Sequence, residues 1–299
     1  IPVAAREAAR AVLDTRWIGQ GPKVDEFEKK LIFLGQNVLT LNSGTSALEL
    51  TYHLLNLKKG DEVITPVFSF VGTNLPLNRR RVKLVFADVD ENLLIDWDDV
   101  KRKISPKTKA IINLHLCGQY SKPPKLSLPV IGDAAQYLDK TENEQFTIYS
   151  FQATKIITTV DGGALVCKNR EDYERAKLLR WYGIDRETGK NSVEADITEA
   201  GYKYHMNDVA AAMGIAQLKN LDKLKKKRQE LQECYFNNLS KVTIIGGSPF
   251  LIHTENREKL KEKLTSFGIE TGLVYKRNDL YSIFGGKRQN LPNMNRLEN

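Results

Sequence analysis

Three short stretches combine residue types that can do chemistry together. The first is Leu41-Asn42-Ser43-Gly44-Thr45-Ser46-Ala47, where an apolar run ends in small residues and a helical pattern begins. Such a turn presents backbone N–H groups at the positive end of a helix. Gly44 permits close approach and the hydroxyls of Thr45 and Ser46 add donors, so the stretch can cradle a phosphate. An ordinary Ser/Thr helix cap has the same composition. The second is Val130-Ile131-Gly132-Asp133-Ala134-Ala135-Gln136, which puts a carboxylate at the carboxyl end of an apolar run. Ligands of open parallel sheets collect at that edge. Asp133 there is either a helix cap or the partner of a cation, and a protonated pyridine nitrogen is one such cation. The third is Tyr149-Ser150-Phe151-Gln152-Ala153-Thr154-Lys155-Ile156-Ile157, continued by Thr158-Thr159-Val160-Asp161-Gly162-Gly163. It sets Lys155 among apolar and small residues. A buried lysine is costly unless its pKa falls or its amine is consumed chemically, as in a Schiff base; a lysine snorkelling to the surface is the alternative.

The elements that must position these residues alternate along the first two thirds of the chain. VLTLN precedes TSALELTYHLL, EVITPVF precedes a stretch to Asn78, and VKLVFAD, AIINLHL, PVIGD, TIYSF and ALVCKN follow. The alternation predicts an α/β fold, a mainly parallel sheet with helices on both faces, and the continuous apolar runs fit strands buried on both sides. From about Asn207 to about Ser240 runs a long helix-compatible segment, with apolar residues at Val209, Met213, Ala216, Leu218, Leu221 and Leu224, that looks like a connector to a second domain. KVTIIGG, FLIHT and the helical ENREKLKEKLTSFG then suggest a smaller α+β unit, followed by a polar, turn-rich tail from Asn278. The expected division is a large domain over 1–221 and a connector with a small C-terminal domain over 222–299. No GxGxxG or GxxxxGK[ST] nucleotide loop is present.

With 299 residues, 41% hydrophobic and 27% charged, the chain is long enough for one large domain and part of a smaller one. The net charge of +8 is concentrated in Lys223 to Arg228 and Lys259 to Lys263, inside Glu-containing helical stretches. Those read as solvated helix faces, and without aromatic interleaving or a nucleic-acid-binding motif no nucleic-acid partner is expected. No stretch approaches the roughly 18 uninterrupted apolar residues of a membrane span. The opening IPVAAREAAR carries charges where a secretory signal needs an apolar centre, so the cytoplasm is the expected location and no membrane partner is foreseen. Cys117, Cys167 and Cys234 are odd in number and widely spaced, which suggests neither a disulfide framework nor a metal site.

In their order, the three stretches resemble the DegT/DnrJ/EryC1/StrS family of sugar aminotransferases, fold-type-I enzymes that use pyridoxal 5′-phosphate. The resemblance begins at Trp17-Ile18-Gly19-Gln20-Gly21-Pro22 with Phe27-Glu28 and runs through NSGTSAL and Gly60-Asp61-Glu62-Val63-Ile64-Thr65-Pro66. It then takes in Phe86-Ala87-Asp88-Val89-Asp90, His115-Leu116-Cys117-Gly118, GDAAQ, SFQATK with TTVDGG, and GYKYHMNDVAAAMGIAQL. It spans nearly everything to Leu221.

What the resemblance implies can be placed on individual residues. Lys155 matches the Schiff-base lysine, which also carries a proton between substrate carbon and cofactor. Asp133 matches the carboxylate that keeps the pyridine nitrogen protonated, and Gln136 matches a residue beside the cofactor ring. Gly44, Thr45, Ser46 and Ser150 match the phosphate site, and Phe70 the aromatic that stacks on the ring; for a strand-end Phe a core position is the alternative. Many members carry Asn where this chain has Lys203, and Arg where it has His205. That Asn reaches the cofactor phosphate across a dimer interface, so Lys203 either replaces it with a cation or points to water. Relatives finish the small domain with a further strand and helix, and Ile1 is not a start methionine, so the sequence reads as an incomplete chain.

The implied reaction moves an amino group from L-glutamate to a nucleotide-linked keto-deoxysugar of the NDP-4-keto-6-deoxyhexose kind, for surface polysaccharide or glycan biosynthesis. A homodimer with shared active sites is implied as well. Arg180, Tyr182 and Arg186, in a loop-prone stretch with Trp181, are candidates for binding the nucleotide, and a solvated loop after a helix end is the plainer reading of them. Two alternatives stand beside this function. A pyridoxal-phosphate sugar dehydratase of the same family would carry His at position 155. A non-catalytic regulatory or polyanion-binding relative would keep the fold alone.

Overall fold

The computed structural model describes residues 1–186, 196–239, 243–247 and 249–298. Ser240, Lys241 and Val242, at the ends of two expected elements, lie outside the described residues, as does Asn299.

Seven strands form the main sheet: β1 (Val38–Leu41), β2 (Glu62–Pro66), β3 (Lys83–Ala87), β4 (Thr108–Leu114), β5 (Val130–Asp133), β6 (Phe146–Ser150) and β7 (Gly163–Cys167). Their order is β1-β7-β6-β5-β4-β2-β3, and β7 alone runs antiparallel to its neighbours. Each strand coincides with one of the apolar runs in the sequence. The pleat sends alternate residues to opposite faces. Leu39, Leu41, Ile112, Ile131, Phe146, Ile148 and Leu165 pack on one side with Leu50 and Leu54 of α3 (Gly44–Leu54) and Leu179 of α6 (Arg170–Arg180). Val38, Tyr149 and Ala164 pack on the other with Val24 and Phe27 of α2 (Pro22–Lys30) and Ala211 and Ile215 of α7 (Asp208–Leu218). The expected mainly parallel sheet with helices on both faces is what the chain forms.

Local capping fixes where the flanking helices start. Ser43 caps α3 by accepting from the Ser46 N–H at 3.0 Å, and Asn169 and Asn207 cap α6 and α7 in the same manner. The buried Asp208 carboxylate accepts from the backbone N–H groups of Gly21, Lys23 and Val24, which holds the start of α2 against α7.

The helix-compatible segment from about Asn207 forms two helices. The helix α7 ends at Leu218, and α8 (Leu221–Asn238) starts after a break at Lys219 and Asn220. Packing is the reason: α7 is buried nearly all round between α1 (Val3–Leu13) and α2, whereas α8 buries only its first residue, Leu221. One straight rod cannot meet both environments.

The strands β8 (Thr243–Ile245) and β9 (Leu251–His253) pair antiparallel, and α9 (Arg257–Ser266) follows. The segment beyond it is not the solvated tail that its polarity suggests. Arg277, Asn278 and Asp279 are fully buried, the Asn278 N–H donates to the Val67 carbonyl, and Leu291 and Met294 join a core cluster with Phe86 and Leu114. The short α10 (Pro292–Leu297) starts on the Asp88 carboxylate, which accepts from the N–H groups of Asn293 and Met294. Among the described residues no helix is long and apolar enough to cross a membrane.

Candidate active site

Three strand ends converge at one edge of the sheet. Gly163 at the start of β7 lies between Leu41 at the end of β1 and Ser150 at the end of β6. A Cβ at Gly163 would sit 2.5 Å from the Gly44 nitrogen and from the Ser43 backbone, so only glycine lets the β7 start pass so close to the turn opening α3. Gly44 in turn lies against Ser150, whose Cβ would be 3.2 Å from a Cβ there. The start of α3 at Gly44 and the end of β6 at Ser150 therefore lie side by side, with Thr45 exposed next to them, which is where the sequence expects a phosphate cradle. The Ser46 hydroxyl stands apart from them. It is buried, donates to Asn42 Oδ1 at 2.6 Å and lies 2.8 Å from Ser43 Oγ, so it shapes the turn from within.

Asp133 ends β5 with 3% of its surface exposed. Thr73 Oγ1 donates to its Oδ2 at 2.7 Å and the Ala135 N–H to its Oδ1 at 3.2 Å, so the carboxylate has a fixed orientation. Thr73 belongs to the short 3-10 turn Val71–Thr73 that follows Phe70. A Cβ at Gly72 of that turn would meet the Phe70 ring at 2.8 Å and Thr45 Oγ1 at 3.7 Å, which places the half-exposed Phe70 ring beside the cradle.

Lys155 follows β6 on a turn held by its N–H donating to the Gln152 carbonyl at 2.9 Å. Burial lowers its pKa, opposed by the Asp133 carboxylate and the Cys117 thiol nearby. Cys117 is buried, has a left-handed backbone with φ 55°, and its thiol is pushed up to about 12 by burial. Its N–H donates to Gln136 Oε1 at 2.7 Å, and Gln136 Nε2 donates to the Tyr275 hydroxyl at 2.5 Å. The Tyr275 ring lies 5.8 Å from Phe68 and 5.9 Å from Phe70. These contacts link Lys155, Asp133, Gln136, Phe70, Gly44, Thr45 and Ser150 at one edge of the sheet.

The residues singled out beyond this cleft are placed differently. Arg180 is no loop residue: it ends α6, is 5% exposed, and its Nη1 donates to Glu28 Oε1 at 2.6 Å and to the Thr40 carbonyl at 2.9 Å. An ion pair bound into the core holds it. Tyr182 is exposed with φ 58°, and the Arg186 guanidinium lies 5.1 Å over the Trp181 ring. Arg180 and Arg186 line a separate cavity of about 640 Å³ with Gln20, Trp181, Asp25 and Glu28, and Lys155, Asp133 and Phe70 are not among its walls. Lys203 is exposed, and its carbonyl accepts from Asn42 Nδ2 at 3.3 Å, beside the cradle turn. His205 packs on Trp181 with ring centroids 4.0 Å apart.

Thr73 and Tyr275 were not foreseen from the sequence, and for Cys117 the sequence offered no site role of its own. Nothing in local composition marks them: Thr73 lies 60 residues from Asp133 and Tyr275 lies 139 from Gln136.

The donor set fits a phosphorylated pyridine aldehyde. Helix amides and hydroxyls suit the phosphate, an oriented carboxylate suits a protonated ring nitrogen, and an amine of lowered pKa suits the aldehyde. Among the described residues no group of His, Cys, Asp and Glu could hold a metal ion.

Comparison with known proteins agrees with this arrangement. The model of the DegT/DnrJ/EryC1/StrS aminotransferase family matches residues 3–297. The chain is 33% identical over 338 aligned positions to the uncharacterized protein MJ1066 of Methanocaldococcus jannaschii, covering 98% of this chain and 88% of that one. The sugar aminotransferase CalS13 of Micromonospora echinospora superposes with a TM-score of 0.89 at 27% identity, covering 99% of this chain and 90% of that one. Helicobacter pylori PseC, an aminotransferase involved in the biosynthesis of pseudoaminic acid, does so with a TM-score of 0.85 at 28% identity, covering 95% and 85%.

Proposed function

Because this chain belongs to the DegT/DnrJ/EryC1/StrS aminotransferase family, whose members are pyridoxal-phosphate-dependent sugar aminotransferases, we propose that it moves an amino group from L-glutamate to a nucleotide-linked keto-deoxysugar. The observation that carries this reading is that the partly buried Lys155 amine lies within the field of an Asp133 carboxylate fixed by Thr73 and Ala135. A dehydratase of this family would carry His where Lys155 stands, and a non-catalytic relative has no use for an oriented carboxylate facing a lysine of lowered pKa.

When bound, pyridoxal 5′-phosphate supplies an aldehyde for the incoming amine and a ring that accepts electrons from the substrate carbon. The chain's own residues do the rest. The first amides of α3 with Gly44, Thr45 and Ser150 bind the phosphate. Asp133 holds a proton at the pyridine nitrogen, and Thr73 keeps its Oδ2 in place for that. Lys155, deprotonated more readily than an exposed lysine, would move a proton from the α-carbon of glutamate to the cofactor's former aldehyde carbon in the first half, and from that carbon to the sugar carbon in the second. Phe70 covers the cleft and excludes water.

The homodimer is likewise proposed. It is supported by the exposed Trp17 and Ile18 and by Lys203, exposed beside the cradle turn where family members place an Asn that serves the partner's phosphate. Service in surface polysaccharide or glycan biosynthesis is supported by the likeness to PseC. The test is a panel of nucleotide-linked keto-sugars offered with L-glutamate while 2-oxoglutarate is followed. Release that depends on one keto-sugar establishes the acceptor, and no release with any of them overturns the reading.

A further inference from the structure

Tyr275 enters the cleft from a segment far along the chain, anchored two residues later by three wholly buried side chains. Arg277 makes an ion pair with Asp279 at 2.7 Å, the Asn278 N–H donates to the Val67 carbonyl at 2.7 Å, and Asn278 Nδ2 donates to the Ser69 carbonyl at 2.7 Å. The phenol therefore has a defined place, set by groups outside the cleft.

Its hydrogen bonding is half used. The hydroxyl oxygen accepts from Gln136 Nε2, and among the described residues no acceptor takes its proton. Burial, with Asp133 and Cys117 nearby, pushes this phenol up to about 12, so it keeps that proton at neutral pH and remains a donor. Gln136 sets the direction, since its other end accepts from the Cys117 N–H at 2.7 Å and cannot turn without breaking that bond. The ring of Tyr275 forms an aromatic wall with Phe68 and with Phe70, which is 56% exposed. A hexose presents an apolar C–H face and uncharged oxygens at its rim, which suits such a wall with one neutral donor at its edge. The carboxylates of an amino-acid donor call for cations instead.

We propose that Tyr275 is a sugar-binding residue whose hydroxyl, aimed by Gln136, donates a hydrogen bond to a hydroxyl or keto oxygen of the hexose acceptor. The proposal rests on the reading that the acceptor is a nucleotide-linked keto-sugar. It assigns Tyr275 to acceptor selection, separate from the proton transfers of Lys155.

The experiment is Tyr275→Phe in the holoenzyme, with each half-reaction followed by cofactor absorbance. L-glutamate drives the first, and UDP-linked and dTDP-linked 4-keto-6-deoxyglucose drive the second. Calorimetric affinity for the same keto-sugars is measured in Lys155→Ala protein with and without Tyr275→Phe. The expected result is a KM and a dissociation constant for the sugar raised about tenfold, with a much smaller effect in the glutamate half and an unchanged melting temperature. Sugar affinity within about twofold of wild type overturns the proposal. So does an equal fall in both halves with a lowered melting temperature, because that is how a purely structural strut behaves. A wild type that accepts neither sugar nor any other keto-sugar sinks the acceptor reading itself, and the proposal with it, whereas normal wild-type turnover with an unaffected variant sinks the proposal alone.

Discussion

Thr73 Oγ1 donates a 2.7 Å hydrogen bond to Asp133 Oδ2, and both residues are almost wholly buried. The bond ties the turn that follows Phe70 to the strand edge that carries the carboxylate, so the positions of Phe70 and Asp133 are coupled. The Thr73 carbonyl also accepts from the Tyr52 hydroxyl at 2.9 Å, which fixes the turn from below. Thr73→Val keeps the shape and removes the donor to a charged group. Pyridoxal phosphate should bind about tenfold or more weakly, as an interaction of about 1.5–3 kcal/mol implies. Thr73→Ser should restore it, and cofactor titration by absorbance measures both. Unchanged affinity in Thr73→Val would show that Asp133 needs no such support.

Lys155→Ala should abolish turnover while leaving the fold intact. The wild-type protein loaded with cofactor should show a visible band that borohydride removes, and the variant should lack it. Appreciable activity in the variant would contradict the assignment of Lys155.

Gly163 admits no side chain, because a Cβ there would come within 2.5 Å of the Gly44 nitrogen. Backbone cannot yield as a flexible side chain can. Gly163→Ala should cost about 1–3 kcal/mol of stability by crowding a packed site. It should also displace the start of α3 and weaken phosphate binding. Thermal melting and cofactor titration should fall together, and a variant that melts normally yet binds normally would refute the close approach.

His205 gives a pH dependence with a definite sign. Burial first, then Arg180, Lys203 and Arg186, lower its pKa to about 4 from 6.5. Between those values the unfolded chain takes up a proton that the folded chain refuses, so the stability associated with neutral His205 is present above about pH 6.5 and is lost as pH falls toward 4. His205→Phe keeps the packing on Trp181 and removes the titration. Melting temperatures measured from pH 7 to 4 should fall less steeply in the variant, and parallel curves would show that His205 takes no part.

The main sheet could be read from the amino acids alone, and so could the candidates for the site at its edge. The short β-rich apolar runs became strands, because runs of four to seven such residues bounded by turn residues fit a parallel sheet buried on both faces. Gly44, Asp133, Ser150 and Lys155 could be singled out because each lies at, or within a few residues after, the end of such a strand. The end of a helix at Arg180 was foreseen as the plainer reading, but its burial was not. Polarity suggests a surface loop, and only the partner carboxylate of Glu28, brought in by α2, makes a buried guanidinium affordable. Tertiary structure alone decided the contributions of Thr73, Cys117 and Tyr275, since each depends on a partner distant in the chain. It also decided that the polar stretch from Arg277 to Asp279 lies inside the protein: charges enter a core only when their partners arrive with them, and no local pattern records that meeting.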